Sequence, residues 1–411
     1  MVRRRWLRGY GAAIIVAGVL VPVTDAVALW DDRLELFVAQ TVTRDDNVFR
    51  LSSGLDPAAV LGSSSKGDTY STTSLGFNLD VPLSRQRLQG GVTWNKTRYD
   101  RFTVLNGDGH QGQGIWLWQI GNDISGQLGY TETFGLASLA NIQSNVQSST
   151  PNFLTTRRTF GNAAYLLTPS WRLRGEAGRL KQSNEVPERQ VNDTSTDTVD
   201  LTVSYVTPVS NQIGLGMRAE NGRLPNRQFV AGDLFDNSYR QQNVAAVIDW
   251  TLTGSSHVSA RAGSVRRSYA QLPQRDFKGP TFQATYDWKS TGKLTLTATA
   301  QNGISATEQI NIGFVLVKGV ALRPTVRLTD KVNLAGAFEY SNRDYRSDPA
   351  LVLGTVPNRT DRVRSAAMTV SYRPVRTVTL QMALLHETRS STAAFGDYAA
   401  NVVSVSARIG F

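Results

Sequence analysis

The chain has no cysteine in 411 residues and only three histidines, His110, His257 and His386. The first absence excludes a disulfide-stapled scaffold and any thiolate metal site. The sequence also has no Gly-x-Ser-x-Gly elbow, no cluster at metal-ligand spacing and no phosphate-binding glycine loop. Ser/His or Asp/His chemistry at an outer rim would have to use His110 or His386. Isolated histidines more often sit solvated in a wall, so the chain is read as a non-enzyme without cofactor or metal. Long hydrophobic runs are missing as well: 40% of residues are hydrophobic, and nothing after residue 28 could cross a bilayer as a helix.

One short apolar run is present, at the start. Arg3, Arg4, Arg5 and Arg8 precede Ala12 to Val23, and Ala26-Val27-Ala28 supplies a small-x-small cleavage pattern. Residues 1–28 therefore read as a secretory signal peptide, with residues 29–411 as the exported domain. The formal net charge is +11, and setting aside four arginines and Asp25 of the signal leaves +8. An exported chain does not meet nucleic acid. The charge instead points to anionic glycolipid or to an acidic solute, with arginines that merely solvate a polar surface as the alternative.

From Leu34 onward the hydropathy alternates with period 2, as in strands with one apolar face. Phe282, Ala284, Tyr286 and Trp288 alternate with Gln283, Thr285, Asp287 and Lys289; Val199, Leu201, Val203 and Tyr205 alternate with Asp200, Thr202 and Ser204. Two kinds of connection take turns. Short ones fall at Val81 to Arg87, Gly121 to Asp123, Thr168 to Ser170, Pro208 to Asn211, Thr253 to Ser256, Ser290 to Gly292, Thr329 to Lys331 and Arg373 to Val375. Longer polar ones fall at Arg44 to Lys66, Asn106 to Gly112, Ala137 to Asn152, Ser183 to Asp193, Leu224 to Phe235 and Arg346 to Thr360. Such alternation predicts an all-β, antiparallel up-and-down transmembrane barrel of about 18 strands, within 16–18, with short periplasmic turns and longer extracellular loops.

Aromatic placement supports a membrane barrel over a sandwich. Tyr165, Trp171, Tyr205, Trp250, Tyr286, Trp288 and Tyr372 lie near the short connections, as in an interfacial girdle. Trp94, Tyr99, Trp116, Trp118 and Tyr340 are the aromatics to check for a place inside. The last segment alternates Val403, Val405, Ala407, Ile409 and Phe411 with Ser404, Ser406, Arg408 and Gly410. It reads as the closing strand, with Phe411 as an assembly signal for the barrel assembly machinery. Parity places Arg172, Arg174, Arg218, Arg261, Arg323, Arg327, Arg373, Arg408, Glu176 and Glu339 on the inner wall as pore-lining candidates. Each could instead brace the wall by pairing across strands.

Asp45-Asp46-Asn47-Val48-Phe49-Arg50-Leu51 resembles the exopolysaccharide-locus outer-membrane proteins called EpsL, within a wider group of β-barrel porins. Asp68 to Thr73, Ser84 to Gln89 and Arg98 to Phe102 are similar to that family in order and spacing. The resemblance implies the bacterial outer membrane, contact with its lipid and lipopolysaccharide, and a part in making or exporting exopolysaccharide beside secretion components. It carries over no catalytic or binding residue. The reading is thus a channel for exopolysaccharide, with a general or anion-preferring solute porin, or a plugged docking barrel, as alternatives.

Overall fold

The computed structural model describes residues 33–141, 151–226, 228–230, 233–305, 312–347 and 359–411. Residues 1–28, expected from sequence to be a signal peptide, lie outside them. The first half of the wall runs β1 (Leu34–Asp45), β2 (Asp68–Leu83), β3 (Gln86–Tyr99), β4 (Gly107–Ile120), β5 (Ile124–Leu136), β6 (Phe153–Thr168), β7 (Trp171–Asn184), β8 (Thr194–Val206) and β9 (Gln212–Arg223). A small hairpin, β10 (Gln228–Val230) with β11 (Asp233–Phe235), interrupts it. The second half runs β12 (Tyr239–Thr253), β13 (Ser256–Tyr269), β14 (Phe277–Lys289), β15 (Leu294–Ser305), β16 (Ile312–Arg327), β17 (Val332–Ser347), β18 (Arg359–Val375), β19 (Val378–Ser391) and β20 (Tyr398–Gly410).

Every barrel strand pairs antiparallel with its neighbours in the chain, β9 pairs with β12, and β20 returns to β1. The result is a closed 18-stranded barrel with no free edge. The connections follow the sequence at most places. The expected loop at Asn106 to Gly112 does not: β4 already starts at Gly107, and the connection is residues 100–106, whose Asn106 side chain accepts from the Tyr99 amide at 2.6 Å. Its glycines suggested a loop, yet they sit in a strand whose ladder tolerates them because β3 and β5 flank it on both sides. The turn expected at Arg373 to Val375 is likewise displaced; β18 continues to Val375 through an irregular register, and the chain turns at residues 376–377. The loop expected at Arg346 to Thr360 lies mostly outside the described residues.

Alternation sorts the side chains into two environments. Val199, Leu201, Val203, Leu215, Met217, Val320 and Met368 project outward and are exposed, an arrangement that is stable against lipid and unfavourable against water. Tyr165, Trp171, Tyr205, Trp288 and Tyr372 stand exposed at the short-turn end of this belt, with Trp171 edge-on to Tyr205 at 5.7 Å. That end carries the girdle.

The seam between β1 and β20 is reinforced beyond its ladder. Phe411 exchanges both backbone hydrogen bonds with Leu36, at 3.2 and 2.8 Å, while its ring stays exposed on the outside. On the inner face, Arg408 lies 4.2 Å over the Phe37 ring and 2.8 Å from Glu35. The Asp-Asp-Asn-Val-Phe-Arg-Leu segment clasps the other end of the same seam. Asp46 accepts from the Asn401 backbone and side-chain amides at 2.7 and 2.6 Å, and Asn47 donates to Ala399 O at 2.9 Å. Asn47 also bonds both the amide and the carbonyl of Leu51 at 2.8 Å, closing a turn in which Arg50 takes a φ of 55°.

Candidate functional site

The barrel encloses a cavity of about 2120 Å³. Its lining includes Asn122, Ser210 and Gly254 from short turns at one end and Leu139, Asn192, Leu224 and Arg275 from long loops at the other. The lining therefore includes residues from both ends of the wall. Along β8 it meets Thr194, Thr196, Thr198, Asp200, Thr202 and Ser204, a row of hydroxyls interrupted by one carboxylate.

Arginines gather on the β6 to β13 side of this space. Glu176 lies 3.7 Å from Arg158 and 3.6 Å from Arg174; Asp200 lies 3.0 Å from Arg218 and 2.8 Å from Arg261. Arg261 starts on β13 and reaches over β12 and β9 to β8. It can do so because β9 presents Gly216 there: a Cβ would stand 3.0 Å from the Arg261 Nη2. Arg172 lines the same wall. Arg158, Arg172, Arg174, Arg218 and Arg261 thus gather around Glu176 and Asp200, and Arg267, Glu220 and Asp249 add to the charged lining of these strands. The carboxylates are the deeper groups: the Asp200 side chain is 10% exposed, against 37% for Arg218 and 36% for Arg158. Positive charge is what this wall turns to the water.

The remaining predicted positions all have inner-face parity but a different setting. Arg323 pairs with Glu339 between β16 and β17, and Arg408 with Glu35 between β20 and β1. Arg327 ends β16 and Arg373 lies near the end of β18, both on the inner face at the short-turn end. These four arginines and Glu339 are not in the cavity lining. Arg323 and Arg408 are thus held in one-to-one pairs across adjacent strands. Of the aromatics singled out from sequence, Trp94, Trp116 and Tyr340 are exposed on the outer face and Trp118 shares Trp116's parity, whereas Tyr99 turns inward.

Sequence reasoning missed the inward tyrosines near the long-loop end: Tyr70, Tyr239, Tyr269, Tyr345 and Tyr398 join Tyr99 in the lining. Several serve as platforms for arginine, with Arg267 4.0 Å over Tyr239, Arg359 4.7 Å over Tyr345 and Arg389 4.5 Å over Tyr398. The parity that located the arginines would have located these rings too, had the strand ends been assigned.

Loops narrow the same end. Val48, Phe102 and Leu105 pack together with Leu61, Leu136 and Leu139, joining three connections. Leu61 ends α1 (Pro57–Leu61), which Asp56 caps by accepting from the Ala58 amide at 3.0 Å. Arg50 reaches Asp45 at 2.8 Å and the inner-face Glu387 at 3.7 Å. Burial works against its charge, but those two carboxylates outweigh burial and hold the guanidinium pKa above its ordinary value. From the wall, Arg389 donates to Ala140 O at 2.5 Å, tying the connection after β5 to β19.

The histidines form separate pairs. His110 meets Glu132 at 3.1 Å and His386 meets Asn401 at 2.7 Å, both on the outer face, while His257 meets Asp249 at 3.0 Å inside. Among the described residues no group of three or more histidine or acidic side chains could hold a metal ion.

Comparison with known proteins gives matches of two kinds. No curated protein matches the sequence. Among solved structures, OpdK from Pseudomonas aeruginosa aligns at a TM-score of 0.47 and 11% identity, covering 92% of this chain and 99% of that one. OccK2 (OpdF) from the same organism aligns at 0.49 and 13%, covering 93% and 99%. A BenF-like porin from Pseudomonas fluorescens Pf-5 aligns at 0.46 and 11%, covering 92% and 98%. At the level of sequence, residues 250–411 match the family described as "Putative beta-barrel porin 2".

Proposed function

We propose that the protein is an outer-membrane channel of porin type that favours anionic solutes. The supporting observation is the wall formed by Arg158, Arg172, Arg174, Arg218 and Arg261, where guanidinium groups face the water and Glu176 and Asp200 lie behind them. Fixed positive charge beside an aqueous path raises the local anion concentration and lowers that of cations. Carboxylates placed behind the arginines hold the side chains in position without cancelling the field at the water. No covalent step is required, and release needs only that each contact be weak and replaceable by the next. Reversal potentials across a salt gradient in planar bilayers test the reading. Anion preference is expected, and cation preference would overturn it.

A second reading, export of an exopolysaccharide, is favoured by the hydroxyl row of β8 and the tyrosines near the loop end. Hydroxyls can replace water on a sugar and aromatic faces can stack on it. Deleting the gene and quantifying secreted polymer separates the two: unchanged polymer together with anion conductance leaves the solute channel alone.

A further inference from the structure

The short turns differ in charge around the rim. Between β14 and β19 three consecutive turns each carry an exposed cation, Lys293, Lys331 and Arg376, while Lys289 and Arg327, also exposed, end β14 and β16 beside them. The turns joining β6 to β7, β8 to β9 and β12 to β13, at 169–170, 207–211 and 254–255, hold no charged residue. Two of the cationic turns are built alike. The Thr291 hydroxyl accepts from the amides of Lys293 and Leu294 at 3.2 and 3.0 Å, and the Thr329 hydroxyl accepts from those of Lys331 and Val332 at the same distances. Lys331 Nζ then donates to Pro374 O at 2.9 Å, tying its turn to the one that bears Arg376. Successive turns stand two strands apart, so the row is spaced by about 10 Å and spans about 20 Å.

These charges are not matched within the chain. Asp330 shares the turn of Lys331, and Asp287 on the inner face accepts from Thr297 Oγ1 at 2.6 Å, but among the described residues none of the five cations forms an ion pair. Nor do they face lipid. Lys289 and Arg327 lie on the inner face, whereas the outward positions nearest the turns are Trp288, Val326, Leu328, Val332, Tyr372 and Val378. A headgroup of the surrounding leaflet would meet these aromatic and aliphatic side chains instead of the row. A small anion is too short to engage three turns at once. The arc also occupies different strands from the arginines of β6 to β13, so it does not continue their line from the mouth into the cavity.

We propose that this arc is a docking surface for an acidic, extended segment of a periplasmic protein. Six residues of extended chain span about 20 Å, the length of the row, and carboxylates three residues apart are separated by about 10 Å, the spacing of its cations. Such a segment meets Lys293, Lys331 and Arg376 in turn, with Lys289 and Arg327 on its inward side. Charge complementarity fixes the occupant as a polyanion, and its place on the rim fixes it as a docked chain. A segment bound here covers one arc and leaves the mouth beneath the arginine wall open, whereas an acidic polymer in transit would follow the arginines of β6 to β13. The inference rests on the membrane placement, which puts the short turns in the periplasm, and is independent of what passes through the lumen.

The test uses the full folded barrel in detergent and a fluorescently labelled hexaglutamate peptide, with binding read by anisotropy. Monomeric glutamate, alginate oligosaccharide and phosphatidylglycerol compete as probes of a small anion, an acidic polysaccharide and a lipid. Wild type is expected to bind the peptide about tenfold or more tightly than each competitor, K293Q/K331Q/R376Q to lose about tenfold, and K293Q alone about twofold. Gel mobility before and after heating confirms that each variant is folded. R158E/R174E/R218E, altered only in the lumen, is expected to bind the peptide as wild type does, which separates this surface from the channel reading. Wild-type affinity in K293Q/K331Q/R376Q, or equal competition by alginate, phosphatidylglycerol or monomeric glutamate, would overturn the proposal. A loss confined to R158E/R174E/R218E would place the peptide in the lumen and overturn it as well.

Discussion

At the residue scale, the same chemistry has two uses, and its neighbours decide which. Arg408 and Arg218 are both inward arginines paired with a carboxylate. Arg408, 18% exposed and stacked on Phe37, is enclosed at the seam, whereas Arg218 shares Asp200 with Arg261 and stays open to the cavity. Removing Arg408 would leave Glu35, whose side chain is 12% exposed, without its counter-charge and with only the Asn78 side-chain amide, which donates to it at 2.8 Å. R408A is therefore expected to cost on the order of 3 kcal/mol in chemical unfolding, and the double variant E35Q/R408M to recover a large part of it. Equal losses in both variants would show that the pair does not stabilise the seam. Sequence parity correctly put Arg408 on the inner face. It could not show that the nearest acid would be Glu35, since that contact depends on which strand closes the barrel and in what register.

At the element scale, the strand is the unit that carries the information. In β8, Val199 is 51% exposed on the outer face, while its neighbour Thr198 lines the cavity. V199R places a charge against lipid and is expected to destabilise the barrel by about 2–4 kcal/mol, while T198R, one residue away, is expected to cost less than half as much. Refolding titrations into lipid vesicles read both. Comparable costs would mean that the two faces are not what their alternation indicates. This alternation is also why the barrel, its strand number and the inner-wall parity were legible from sequence. The glycine-rich start of β4 was not, because glycine weakens the local strand signal and only the flanking strands β3 and β5 hold it in the ladder. The inward tyrosines escaped for a related reason. They sit at strand ends, where the period is shortest and the neighbouring loop obscures it. The segment Asp45 to Leu51, which carried the family resemblance, proves to be a clasp joining the first long loop to β20. Its residue types are set by that turn and seam, so it gives little information about a transported substrate.

At the scale of the whole molecule, closure divides the net positive charge between two surfaces. One share lies on the outer wall at the loop end, where Arg240, Arg266, Lys278, Lys318, Arg362 and Arg364 are exposed. The other lies inside: the β1 and β16 to β20 sector sets its paired Arg323 and Arg408 beside Arg327, Arg343 and Arg373, and along the cavity of the β6 to β13 sector Arg158, Arg172, Arg174, Arg218, Arg261 and Arg267 stand against Glu176, Asp200, Glu220 and Asp249. The excess of arginine along the cavity is the basis of the channel reading, and Arg158, Arg174 and Arg218 are the members of it that the charge-reversal variant addresses. The most direct measurement is the zero-current potential across a tenfold potassium chloride gradient, for wild type and for R158E/R174E/R218E, with gel mobility before and after heating confirming that both are folded. The account predicts anion preference in wild type and a shift toward cations in the variant. Cation preference in wild type, or identical potentials in the two, would contradict it.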